Sequence, residues 1–205
     1  MRKWLTCFFL CLGLLNAAFS ATLTTPQTIS INEIIGFNQY PAKVQLLITE
    51  ALKLTRQNLN YSYGSADPKK GGMDCSGTIY YLLHSVNQTK VPRQSDQIYT
   101  WVLAQGKFFA VKTNSFTSTE FDALKPGDLL FWTGTYAVER AVPITHVMLY
   151  LGVNQQGRRL MFGASDGRTY QGRQIWGVSI FDFVLPRPES KARFVGYGCV
   201  PEISC

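Results

Sequence analysis

The chain has 205 residues, 46% hydrophobic and only 16% charged, which is enough apolar material for one domain with a sizeable core and too much for a disordered chain. Its formal net charge of +7 is carried by scattered Lys and Arg, such as Lys69, Lys70, Arg158, Arg159 and Arg187, with no basic block. A nucleic-acid stripe is therefore excluded as a main function, and no internal repeat, low-complexity tract or second domain is visible.

Along the chain, the first segment reads as an export signal. Arg2 and Lys3 precede an apolar run from Trp4 to Leu15, and Ala18-Phe19-Ser20 stands before Ala21. Residues 1–20 are expected to be a cleavable secretory signal peptide, which implies a secreted or periplasmic protein with no membrane span after cleavage. Cys7 and Cys11 lie inside that run without the preceding small residue that a lipidated cysteine wants. Residues 21–40, polar and irregular apart from Ile34-Ile35, are expected to form an arm lying across a domain of residues 41–205.

From Pro41 to about Asn58, Val44, Leu46, Leu47, Ala51, Leu52 and Leu54 recur at helical spacing. A tyrosine-rich stretch, Asn60 to Gly64, leads into the glycine loop Gly71-Gly72 and a helix expected from Cys75 to about Val86. Pro92-Arg93-Gln94-Ser95 punctuates the chain before a helix over Asp96–Ala104. Strands then follow, after the turn Lys125-Pro126-Gly127-Asp128: Leu129–Trp132, Ile144–Val153, Arg159–Gly163, Ile175–Phe181 and Ala192–Val200. Helices first and an antiparallel sheet afterwards make an α+β domain.

Candidate chemistry centres on Asp74-Cys75-Ser76-Gly77. A thiol at a helix start feels the positive end of the helix dipole, which favours thiolate. On residue chemistry alone, Cys75 is as readily a packed core cysteine, and Asp74 and Ser76 are as readily helix caps. The protein has two histidines. His84 lies nine positions past Cys75 on the same helix, and at about 100° per residue that is close to the opposite face. His146, opening an apolar strand, is then the base if a histidine activates Cys75, and a satisfied core histidine otherwise. No C-x-x-C or H-E-x-x-H spacing supports zinc, and Gly71-Gly72 lacks the lysine of a phosphate loop, so no metal and no cofactor are implied. Beyond the signal, Cys199 and Cys205 either pair, leaving Cys75 free, or stand unpaired near the C-terminus.

These motifs together resemble the NlpC-type cysteine peptidases of bacterial cell walls. Asp74-Cys75-Ser76-Gly77 matches the nucleophile motif, and Pro92–Ser95 a segment after its helix. Lys125–Phe131 matches the turn and strand, and His146–Gly152 the strand carrying the base. The resemblance covers roughly residues 41–180. It implies a papain-like single domain and hydrolysis of an amide in peptidoglycan stem peptides, commonly γ-D-glutamyl-diamino acid, with peptidoglycan or a muropeptide as the partner. Cys75 would be the nucleophile and His146 the general acid/base. Tyr61 falls where the family has a tyrosine beside the nucleophile, and Asp74 and Ser76 are candidate substrate-binding residues. The family's third polar residue, which orients the base, falls here at Gly163. Glycine has no side chain for that role, so Ser165 and Asp166 are the candidates to replace it. That departure keeps open a wall-binding module of the same fold without turnover, and a muramoyl-alanine amidase changes the bond. The oligomeric state is not readable.

Overall fold

Residues 25–205 are described by a computed structural model. The expected signal peptide lies outside the described residues. Helix α1 (Ala42–Thr55) starts after Pro41 and buries Val44, Leu47, Ile48 and Ala51 along one face. The short strands β1 (Asn60–Tyr61) and β2 (Gly72–Met73) pair in parallel and close the tyrosine-rich loop. Their pairing delivers the chain to α2 (Cys75–Ser85), and α3 (Ser95–Leu103) follows.

Six strands make one antiparallel sheet: β3 (Phe108–Ala110), β4 (Asp128–Thr133), β5 (Ile144–Val153), β6 (Arg159–Ser165), β9 (Gly177–Asp182) and β10 (Arg193–Cys199). Their order is β3-β10-β4-β5-β6-β9. A two-stranded hairpin of β7 (Thr169–Tyr170) and β8 (Arg173–Gln174) sits between β6 and β9. The expected α+β arrangement, helices first and sheet after, is the observed one. Phe108–Ala110 and the two short pairs carry too few residues to show a periodicity, and the pattern missed them.

β5 is central, and every residue from Ile144 to Gly152 is buried. α2 and α3 pack against it. Asp128 closes the turn before β4 by accepting the Lys125 N–H at 2.9 Å. Two contacts tie the described residues before α1 to the sheet: Gln27 is bonded to Ser179 of β9, and Ile34 is bridged to Asn154 after β5. At the far end Cys199 is bonded to Cys205, which leaves Cys75 as the free cysteine among the described residues. No helix among the described residues is long and apolar enough to cross a membrane.

Candidate active site

Each residue of Asp74-Cys75-Ser76-Gly77 has a distinct task at the start of α2. Asp74 caps the helix, its Oδ1 accepting the Gly77 N–H at 2.6 Å, while Oδ2 accepts the Gly64 N–H at 2.8 Å. Arg93 grips the same carboxylate with two nitrogens, at 3.2 and 3.0 Å, and reaches Ser76 Oγ at 2.9 Å. Gly77 is required by packing: a Cβ there would collide with the main-chain oxygen of Ser65. The helix start is therefore fixed from three directions, and Cys75 takes the first helical position.

Cys75 Sγ lies 4.0 Å from the Thr145 carbonyl oxygen, and the N–H groups of Ser76 and Val147 also point at it. The sulfur thus sits beside the β5 backbone on both sides of His146. Ser95, from the segment after α2, holds that part of β5 by donating to the Ile144 carbonyl at 3.0 Å. A break in register between Trp132 and Thr133 of β4 falls beside His146, where a bulge re-aims side chains. His146 pairs with Trp132, their rings 5.7 Å apart. His84 takes no part in this arrangement; its ring is tilted against Tyr80, with Nδ1 2.9 Å from the Tyr80 carbonyl.

The electrostatics correct one expectation. Burial pushes the Cys75 thiol up to about 11, and the Asp74 carboxylate adds to the rise. The two N–H groups and Arg168 pull it back only in part. Desolvation at this buried position outweighs the helix dipole, so the thiol is protonated at neutral pH. Burial, and then the charge of Arg168, hold His146 well below the ordinary histidine range, so the imidazole is neutral.

The hydrogen-bond partner of the His146 ring is neither Ser165 nor Asp166. Arg168 Nε donates to His146 Nε2 at 3.1 Å, and its guanidinium lies 4.2 Å over the Trp132 ring. Gly163 is filled from the neighbouring strand, since Met148 sulfur occupies the space a side chain there would need. Ser165 is level with His146 if the β5–β6 register is continued from Leu149↔Phe162. Its Oγ accepts the Arg168 N–H at 3.2 Å, turning the chain so that Arg168 returns over the ring. Asp166, exposed in that turn, lines the same cavity. Only a charged side chain two residues past a turn marked Arg168 in the sequence, and many loops carry one.

Two cavities meet at this point. One, of about 330 Å³, contains Cys75, Asp74, Ser76 and Arg93. The other, of about 530 Å³, contains His146, Ser165, Asp166 and Arg168. Tyr61 and Tyr136 line both. Burial raises the Tyr61 phenol well above its usual range, keeping it a proton donor throughout the physiological range. Arg140 ties the Tyr136 loop to α3 through Asp96 at 3.1 Å and bonds the Ile144 carbonyl. Among the described residues no group of three or more His, Cys, Asp or Glu is placed to hold a metal.

Cys75 at the start of α2 and His146 on the central strand thus line two cavities that share Tyr61 and Tyr136, within an α+β fold. The model of the NlpC/P60 family matches residues 58–174, and the chain belongs to that family. Among solved structures it is similar to a lipoprotein-like NLP/P60-family protein from Staphylococcus aureus, with 23% identity, a TM-score of 0.42 and 78% of this chain covered. It is also similar to an NlpC/P60 endopeptidase from Photobacterium damselae, with 15% identity, a TM-score of 0.35 and 74% covered. The match spans 45% and 38% of those two chains, less than half of either. Among curated proteins, none matches.

Proposed function

We propose that this protein is a cysteine peptidase that hydrolyses amide bonds in peptidoglycan stem peptides, acting outside the cytoplasm after loss of its signal segment. Family membership supports a cell-wall peptidase type of function. The observation that carries the reading to residues is the seat of Cys75 Sγ against β5 at Thr145 and Val147, on both sides of His146.

In this reading the Cys75 thiol gives its proton to His146, and the sulfur attacks the carbonyl carbon of the scissile amide. The backbone N–H of Cys75, at the start of α2, serves the developing oxyanion. The C–N bond breaks as the imidazolium passes its proton to the leaving amine. Water then attacks the thioester, with His146 taking its proton, and Cys75 is restored. Because His146 must reach the leaving nitrogen, the larger cavity takes the amine side of the substrate, with Ser165 and Asp166 in its wall. The smaller one takes the acyl side, bordered by Tyr61, Asp74 and Ser76. A γ-D-glutamyl bond to a diamino acid is the preferred target. Mass spectrometry of muropeptides incubated with wild type and Cys75→Ala tests the reading: products with the first and none with the second support it, and intact muropeptides with both reject it.

A second reading is a wall-binding module without turnover. It is favoured by the protonated resting thiol and by Arg168 bonded to the ring nitrogen. Binding of Cys75→Ala to purified sacculi, with no product from wild type, would select it.

A further inference from the structure

The three arginines around the cleft are not equivalent. Arg93 is paired with Asp74 at 3.0 Å and Arg140 with Asp96 at 3.1 Å. Arg168 has no carboxylate within ion-pair distance among the described residues. Asp166 is close enough to act on its charge but does not bond it. The guanidinium is instead held by Trp132 and by His146. Burial lowers its pKa only to about 10, so it is a cation at neutral pH. It lines the cavity of about 530 Å³, together with Lys191 and the apolar Val184 and Leu185.

The bond to His146 has a chemical consequence. Nε2 can accept from Arg168 only through its lone pair, so the ring proton resides on Nδ1. A ring in that state has no open lone pair for the Cys75 proton. An imidazolium beside an unneutralised guanidinium is disfavoured as well, because both charges lie in a partly dry site. A carboxylate bound to Arg168 relieves both conditions, drawing the guanidinium from Nε2 and cancelling its charge.

We propose that Arg168 is the receptor for a carboxylate on the amine-side residue of the scissile bond, and that this carboxylate arms His146. The inference rests on the peptidase reading above and deepens it. Arg168 binds the substrate directly and acts on the thiol only through His146, as a positioning residue. The substrate class is a peptide whose leaving amine belongs to a residue with a free carboxylate.

Two tripeptides test it, L-alanyl-γ-D-glutamyl-meso-diaminopimelate and L-alanyl-γ-D-glutamyl-L-lysinamide, which has no carboxylate on its last residue. Wild type is expected to prefer the first by about tenfold or more in kcat/KM, the scale of one charge-assisted contact. Arg168→Gln is expected to lose that preference, and Arg168→Lys to keep part of it. A second readout needs no turnover: in Cys75→Ala, free meso-diaminopimelate is expected to shift the His146 Nε2 resonance in ¹⁵N spectra. The same addition to Cys75→Ala/Arg168→Gln is expected to leave it unmoved. Equal cleavage of both peptides by wild type, a preference that survives in Arg168→Gln, or an unmoved resonance in Cys75→Ala overturns the inference and leaves the peptidase reading standing. Failure of wild type to cleave either peptide counts against the peptidase reading itself, and the inference falls with it.

Discussion

The Cys75 sulfur lies 4.0 Å from the carbonyl oxygen of Thr145, the residue that precedes His146. The contact joins the start of α2 to the central strand across seventy residues of sequence. It also means that the thiol is held by backbone rather than by a flexible side chain. Substituting the sulfur should therefore change chemistry without moving its surroundings.

Cys75→Ala and His146→Ala are each expected to abolish muropeptide cleavage, a loss of at least about a thousandfold, since the residues act as one unit. Melting temperatures should stay near wild type. Retained cleavage in either variant, read by chromatography of the products, contradicts their assigned roles.

Alkylation of the empty enzyme by iodoacetamide reports the resting thiol. With the thiol pushed up to about 11, the Cys75 rate should climb about tenfold per pH unit from pH 7 to 10. A thiolate–imidazolium pair would instead give a flat rate above neutrality. A plateau there, measured by intact-mass spectrometry, means that burial does not control this thiol.

Arg93→Met removes the partner of a nearly buried carboxylate that also caps α2. Leaving Asp74 with an uncompensated charge is expected to destabilise the protein by about 2–4 kcal/mol. Denaturant midpoints measure this. Because the cap seats Cys75, alkylation kinetics at that residue should change in parallel, and a variant as stable as wild type would show that the pair is dispensable.

Asp128 gives a pH-dependent signature. Burial raises its carboxyl from 3.8 to about 7, although the Lys125 N–H and charge pull the other way. Between those two values the folded state keeps a proton that the unfolded state has lost. This contribution is therefore full below about pH 4 and disappears as pH rises through 7, by up to about 1.4 kcal/mol per unit. Asp128→Asn should flatten the stability profile between pH 4 and 7, and an unchanged slope in thermal melts would refute the assignment.

Local chemistry made much of this protein legible without coordinates. Asp74-Cys75-Ser76-Gly77 announces a capped helix carrying a thiol, because capping and helix periodicity involve only neighbouring residues. The alternation and apolar runs of β4, β5 and β6 likewise mark their strands, and β5 was bounded correctly at Ile144–Val153. His146 was singled out because the second histidine lay on the wrong part of its helix. The spacing of Cys199 and Cys205 left their pairing open, and the fold brings them together.

What only the tertiary structure decided is how these parts act on one another. Arg168 reaches the His146 ring because Ser165 turns the chain after β6, and nothing near Arg168 in sequence encodes that turn's destination. Met148 fills the space at Gly163 because two strands pair in one register, so the missing side chain there is matched by bulk from a neighbour. The ionisation of Cys75 depends on how much water packing removes around it. A helix start predicts a favourable dipole, but desolvation is a property of everything that closes over the site. Sequence patterns therefore singled out Cys75 and His146, and long-range packing set their protonation and their contacts.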